Sequence, residues 1–197
     1  MMSTDAPLRI LAVDDNAAIH ADFRRILCPE PDVDVALDEL EREIFAPPQN
    51  DAVAREGFQL DFAFQGEEAV AKAAAAVAAG RPYSLAFVDV RMPPGLDGIA
   101  TIARLWAVDP HLQAVICTAY SDHTWDQIVS SLGHSDGLLV LRKPFDAVEA
   151  LQIAHAMCRK WRLADQVRRR LESLEAAVGA RTRELEVANS RLAEQVE

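Results

Sequence analysis

The stretch LAFVDVRMPPGLDGI, residues Leu85 to Ile99, joins an apolar run to a helical pattern through a Met-Pro-Pro-Gly turn. Asp89 stands at the end of the apolar run, three residues before Met92 of this turn. A buried strand that turns into a helix is the repeating unit of parallel α/β sheets. The role of Asp89 then depends on which other charged residues the fold brings beside it.

Apolar runs and helical patterns alternate along most of the chain. The five runs are LRILAVDD (8–15), FQLDFAF (58–64), SLAFVDV (84–90), QAVICTAY (113–120) and GLLVLRKPF (137–145). Helical spacing occupies the region of Ile19 to Leu27 and the segments GEEAVAKAAAAVAAG, GIATIARLWAVDP and TWDQIVSSLG. This alternation predicts one doubly wound α/β domain with a five-stranded parallel sheet that helices cover on both faces.

Residues 28–57 are too long for an ordinary connection between a helix and a strand. They contain nine acidic residues and two arginines, and they place Leu37, Leu40 and Ile44 at helical spacing. We interpret the segment as an acidic insertion with one short helix. It is either a solvated excursion or a surface that binds a partner.

The C-terminal part of the chain follows a helical pattern without proline from Asp146 to Glu197. From residue 167 onward the pattern becomes a coiled-coil seam with alternating steps of four and three. The seam consists of Val167, Leu171, Leu174, Val178, Arg181, Leu185, Ala188 and Leu192. Arg170 and Glu175 fall at positions that pair across a parallel dimer.

These patterns divide the chain into two parts. We predict an α/β domain over residues 1–157 and a coiled-coil helix over residues 158–197, continuous with the last helix of the domain. The coiled coil predicts a parallel homodimer, and a lone charged helix is the alternative.

Composition limits the partners of the chain. Its 20 basic and 31 acidic residues give a net charge of -11, which argues against nonspecific binding to nucleic acid or to an anionic membrane. The N-terminal residues do not resemble a signal peptide, and the longest alanine-rich run, Ala69 to Gly80, is too short to span a membrane. Three widely spaced cysteines suit a reducing compartment. We expect a soluble cytoplasmic protein.

Three carboxylates are expected at one edge of the predicted sheet. If the strand order is 2-1-3-4-5, Asp14 and Asp15 at the end of strand one meet Asp89 at the end of strand three. Carboxylates about 4 Å apart repel each other by roughly 4 kcal/mol at an effective dielectric constant of about 20. A hard divalent cation would relieve this repulsion, and Mg²⁺ fits such oxygen ligands best.

Two further polar residues are expected near the same edge. Thr118 ends strand four and Lys143 ends strand five, so a hydroxyl and an ammonium join the carboxylates. A nucleophilic carboxylate, a metal and two donors are the arrangement that phosphoryl transfer requires. Taken singly, each residue also has a structural explanation as a helix cap, a strand residue or a surface charge.

Four motifs together resemble the receiver domains of response regulators in two-component signalling. They are VDD, VDVRMPPGLDG, ICTAY and LRKPF, and the resemblance covers about Leu8 to Met157 apart from the insertion. It implies a flavodoxin-like fold in which Asp89 takes a phosphoryl group from a histidine kinase or a phosphotransfer protein. It also implies that Thr118 turns toward this group and that Lys143 pairs with it.

The same resemblance implies a magnesium site. Asp15 and Asp89 would bind Mg²⁺ directly, Asp14 would act through water, and the backbone carbonyl of Arg91 would complete the protein ligands. The chain departs from the family in two places. The loop after Met92 is one residue longer than usual, and Val140 stands where many receivers have a switching Phe or Tyr.

The segment ARTRELEVANSRLAEQVE resembles linkers that precede histidine kinase or diguanylate cyclase domains. Since the pattern continues to Glu197, we expect an output domain beyond this chain. One alternative is a dimeric scaffold that recruits a partner through the acidic insertion and leaves the phosphorylation site unused. A haloacid dehalogenase-like phosphatase is disfavoured, because Arg91 replaces its second Asp. The five scattered histidines do not suggest a histidine phosphotransfer domain.

Overall fold

The computed structural model describes residues 7–29, 57–119, 130–133 and 135–194, with side chains up to residue 185. Most of the predicted acidic insertion lies outside these residues, and so does most of the helix predicted for TWDQIVSSLG. The side chains of the last two members of the predicted seam, Ala188 and Leu192, also lie outside them.

Five strands and four long helices, numbered in chain order, make up most of the described residues. The strands are β1 (Leu8–Val13), β2 (Phe58–Ala63), β3 (Leu85–Asp89), β4 (Gln113–Ala119) and β5 (Leu138–Lys143). The helices are α1 (Ala17–Leu27), α2 (Gly66–Ala78), α3 (Gly98–Val108) and α4 (Ala147–Glu194). The five predicted apolar runs each contain one of these strands.

The strands form one parallel sheet in the order β2-β1-β3-β4-β5, which confirms the predicted topology. The register pairs Val13 with Val88 between β1 and β3, and Asp89 with Cys117 between β3 and β4. The order reverses direction at β1 and β3, so the carboxyl ends of these two strands flank the crevice of a doubly wound sheet.

The sheet carries the core of the domain. All five residues of β3 and six of the seven residues of β4 are buried, as expected for central parallel strands with helices on both faces. Larger side chains complete this core from the helices, among them Phe23 on α1 and Ile102 and Leu105 on α3. The central strands are therefore rigid supports for the residues at their ends.

Two helices begin directly beyond the carboxyl edge of the sheet and are capped there. Asn16 accepts a hydrogen bond from the amide of Ala18 at the start of α1 (2.9 Å), and Asp97 accepts one from the amide of Ala100 at the start of α3 (2.7 Å). Such caps satisfy amides that lack partners within the helix. They fix the backbone just after β1 and in the loop that follows β3.

The chain divides into two compact units, Met1–Cys158 and Arg159–Glu197. The first contains the sheet with helices α1 to α3, and the second consists of the C-terminal portion of α4. Among the described residues, no helix combines the length and apolar character needed to cross a membrane.

Candidate functional site

The carboxyl ends of β1 and β3 bring two buried carboxylates together. Asp14 directly follows β1 and Asp89 is the last residue of β3; they are 3% and 9% exposed. The amide of Asp14 donates to the carbonyl of Ala63, which ties the end of β1 to the end of β2 (3.1 Å). The position of each carboxylate follows from the strand order rather than from neighbours in sequence.

Lys143 at the end of β5 bridges the two carboxylates. Its Nζ donates to Asp14 Oδ2 and to Asp89 Oδ1, each at 2.6 Å. The long side chain reaches across β4, which lies between β3 and β5. One ammonium serves two carboxylates, so the three side chains carry one net negative charge when all are ionised.

The pKa values of Asp89 and Lys143 are both raised above their usual ranges. Burial raises the pKa of Asp89 above its usual range and the charge of Asp14 raises it further, although the hydrogen bond from Lys143 opposes both. For Lys143, burial lowers the pKa, but the two hydrogen-bonded carboxylates outweigh burial and raise it. The ammonium therefore stays charged, and Asp89 is a more basic carboxylate than an exposed aspartate.

Backbone amides hold the second oxygen of each carboxylate. The amide of Arg91 donates to Asp89 Oδ2 (3.1 Å), and the amide of Asn16 donates to Asp14 Oδ1 (2.9 Å). Both carboxylates are thus oriented by the turn that follows their own strand. Arg91 is an exposed residue, and only its backbone amide takes part in this hydrogen bond to Asp89.

Thr118 and Asp15 lie near the pair of carboxylates. Within the part of the chain described, neither side chain forms a hydrogen bond with Asp14 or Asp89. Thr118 is buried on β4, one residue beyond the partner of Asp89, and its hydroxyl donates to the carbonyl of Ala119 (3.0 Å). Asp15 follows Asp14 and is exposed. Among the described residues, no group of three or more His, Cys, Asp or Glu side chains is arranged to hold a metal ion.

Gly98 was not identified from the sequence, yet it packs directly against the backbone of Asp89. A Cβ at this position would lie 2.2 Å from the carbonyl oxygen of Asp89 and 2.9 Å from Val90 Cα. The amide of Gly98 donates to the carbonyl of Val90 (2.9 Å). The absence of a side chain lets α3 start beside the end of β3, and the pair Asp97-Gly98 after the turn was the available signal.

The long loop after Met92 is ordered by local contacts. Met92 is buried, and the amide of Gly95 donates to its carbonyl (3.2 Å). The Pro93–Pro94 peptide bond is cis, as is Lys143–Pro144. Gln65 Nε2 donates to the carbonyl of Pro93 (3.3 Å), which joins this loop to the loop after β2. Val140 is a partly buried residue of β5.

Comparison with known proteins identifies the fold. No protein-family model matches the chain, and no curated protein matches it. A CheY-like response regulator receiver domain protein from Methanospirillum hungatei JF-1 is 19% identical, with a TM-score of 0.55, over 79% of this chain and 97% of its own. A receiver domain protein from Clostridium thermocellum is 18% identical, with a TM-score of 0.55, over 80% and 98%.

A third similar structure is that of an adenylate cyclase from Rhodopirellula baltica. It is 20% identical, with a TM-score of 0.58, over 85% of this chain and 98% of its own. Identities of this size establish a shared fold. The chain therefore has the fold of response regulator receiver domains, as its motifs predicted.

Proposed function

We propose that this chain is the phosphoacceptor receiver of a two-component system and that Asp89 accepts a phosphoryl group from a histidine kinase or a phosphotransfer protein. The main support is the buried pair of Asp14 and Asp89 bridged by Lys143, at the edge of the sheet where doubly wound folds bind ligands. A buried carboxylate with a raised pKa beside a fixed ammonium suits a nucleophile.

The reaction requires one bond to form as another breaks. An oxygen of Asp89 attacks the phosphorus of a phosphohistidine, the phosphorus–nitrogen bond breaks, and an acyl phosphate forms. The electron pair stays on the imidazole nitrogen, which takes a proton from solvent. Lys143 then pairs with a phosphoryl oxygen in place of the Asp89 carboxylate, and the Thr118 hydroxyl turns from Ala119 to donate to another.

The excess of carboxylate charge supports a site for a hard divalent cation. Since two carboxylate oxygens lie 2.6 Å from the same Nζ, they cannot be further apart than twice that distance, and one ammonium leaves them with excess negative charge. We propose Asp15, Asp89 and the Arg91 carbonyl as direct ligands of Mg²⁺, with Asp14 acting through water. Bound Mg²⁺ would neutralise negative charge on the phosphoryl oxygens.

Intact mass spectrometry tests this proposal. After incubation with acetyl phosphate and Mg²⁺, the chain should gain the mass of one phosphoryl group, and Asp89→Asn should gain none. Asp22→Asn is the matched control, because Asp22 lies on α1 in a surface ion pair with Arg25; it should be modified like the unaltered chain. If the unaltered chain neither gains mass nor binds Mg²⁺, the dimeric scaffold becomes the better explanation.

We further propose that the domain over residues 1–157 signals through a parallel homodimer formed by residues 158–197 to an output domain. The support is the regular apolar seam on α4, whose described apolar side chains are exposed in the single chain and would be buried by a second helix. Phosphorylation would change the packing of the receiver and thereby bias the helix pair. A cytoplasmic location follows from this role, because two-component receivers meet kinase domains there.

A further inference from the structure

The second unit, Arg159–Glu197, presents an apolar stripe to solvent. The exposed fractions are 60% for Val167, 55% for Leu171, 49% for Leu174, 65% for Val178 and 53% for Leu185. The first four follow one another at steps of four, three and four, and Leu185 lies one heptad after Val178, so all five lie on one face of a helix. A helix with such a stripe is stabilised when another helix covers it.

Charge complementarity identifies the covering helix as a second copy in parallel orientation and in register. Arg170 and Glu175 flank the stripe at positions that face each other only in this arrangement. Among the described residues, neither takes part in an ion pair within its own chain. A slip of one heptad would place Arg170 opposite Arg168 or Thr182, so the ion pairs oppose the slipped register.

The N-terminal part of the stripe favours both a stable helix and its association with a partner helix. Every seam position from Val167 to Val178 is apolar. Just before it, Asp165 accepts hydrogen bonds from Arg168 and Arg169, each at 2.5 Å and one helical turn away. Such pairs stabilise a helix, and uninterrupted apolar layers stabilise its association with a partner.

The next turns of the helix combine three weakening features. Gly179 on the outer face lowers helix propensity, and Thr182 bonds through its hydroxyl to the carbonyl of Val178 (3.0 Å), a contact that loosens helices. Arg181 occupies a seam position. Its guanidinium pairs with Glu184 of the same chain at 2.7 Å, so a charged side chain stands where an apolar layer would otherwise continue.

We infer that residues 178–183 form a soft segment at which the two helices of the homodimer part. The seam up to Val178 holds the two copies together, and the seam at Leu185 closes less tightly. The inference rests on the homodimer of the proposed function. It adds that the looseness is located at the Arg181 layer, where a change in helix packing would have its largest effect on the separation of the two copies.

Disulfide cross-linking between copies measures closure on each side of this segment. Leu171→Cys and Leu185→Cys are matched probes, because both replace a leucine at the same heptad position, two heptads apart. A Cys28→Ser background removes the half-exposed native thiol, while Cys117 and Cys158 are buried. Away from the midpoint of an antiparallel pair, identical residues meet only in a parallel, in-register pair. Recovery of cross-linking at residue 185 in Arg181→Leu would therefore exclude an antiparallel pair centred on residue 171.

The expected result is rapid cross-linking at residue 171 and about tenfold slower cross-linking at residue 185, since a charged seam residue and a glycine both weaken the intervening turns. Arg181→Leu should bring the rate at residue 185 close to that at residue 171. Arg183→Leu, the control on the outer face, should leave it slow.

Two other results would overturn the inference, and they are distinguishable. Equal rates at residues 171 and 185 in the unaltered seam would show a dimer without a soft segment, and the proposed homodimer would stand. Slow cross-linking at both positions, together with a monomeric mass by sedimentation, would remove the homodimer and the inference with it. Phosphorylation of Asp89, measured by mass, is independent of either result.

Discussion

Replacing Lys143 by methionine should destabilise the domain through the two carboxylates that it leaves behind. Methionine preserves much of the apolar stem and removes the ammonium that contacts Asp14 and Asp89 at 2.6 Å each. Two carboxylates about 5 Å apart repel each other by about 3 kcal/mol at an effective dielectric constant of about 20. Breaking a buried ion pair by removing one partner typically costs about 3 to 5 kcal/mol.

The site is not fully enclosed, which reduces this cost. The side chain of Lys143 is 22% exposed, and the carboxylates are 4% and 12% exposed. We therefore expect Lys143→Met to lower the free energy of unfolding by about 2 to 4 kcal/mol at pH 7. Urea unfolding, followed by circular dichroism, measures this difference directly.

The pH dependence separates electrostatics from lost packing. In the variant, repulsion raises the pKa of at least one carboxyl in the folded state above its value in the unfolded chain. The folded state then binds protons more strongly, so stability is regained as the pH falls through that raised pKa. We expect the cost relative to the unaltered protein to fall to about half between pH 7 and pH 4.5.

Lys72→Met is the matched control. Lys72 pairs with Glu68 on the surface of α2, where both side chains are 40% exposed, and such pairs contribute about 0 to 1 kcal/mol. If Lys143→Met costs no more than Lys72→Met at pH 7, or if its cost does not shrink at lower pH, the electrostatic account of the site is wrong.

Two other predictions concern the framework of the site. Gly98→Ala should cost about 1 to 3 kcal/mol, because its Cβ would meet the Asp89 carbonyl at 2.2 Å; Gly57→Ala, with no atom within 4 Å, is the control, and equal urea midpoints would contradict the close packing. Burial and the hydrogen bond to Asp61 raise the pKa of Tyr83 to about 12. Because the folded pKa is the higher one, this stabilisation is complete below pH 10 and is lost as the pH rises toward 12, by about 2 to 3 kcal/mol. Tyr83→Phe should show a smaller loss over that interval in unfolding measurements, and an unchanged slope would exclude the assignment.

Most of the sheet could be predicted because its signals are local. The apolar runs around β3 and β4 are nearly continuous, which is what burial on both faces of a parallel sheet requires. The strand order is not a local signal: the meeting of Asp14 and Asp89 was predicted on the condition of the order 2-1-3-4-5, which belongs to the flavodoxin-like fold that the resemblance to receiver domains implies. The acidic insertion and the helix predicted for TWDQIVSSLG stay predictions, because they fall mainly outside the described residues.

Less of the candidate site could be predicted from the sequence. Asp14, Asp89 and Lys143 could be assigned to one edge, but the bridging geometry depends on how far a lysine on β5 reaches across β4. The hydrogen bond of Thr118 to Ala119 and the exposure of Asp15 had no sequence signal. These features depend on side-chain packing at the end of the sheet, and that packing is not periodic along the chain.

The sequence alone determined the alternation of strands and helices, the acidic residues at strand ends and the seam of the C-terminal helix, because each is a pattern of neighbouring residues. Only the tertiary structure decided that one ammonium is shared by Asp14 and Asp89, 75 residues apart in the chain. It also decided that Gly98 must be a glycine, because a helix starts against the backbone of Asp89. Both depend on distances between segments that the sheet brings together.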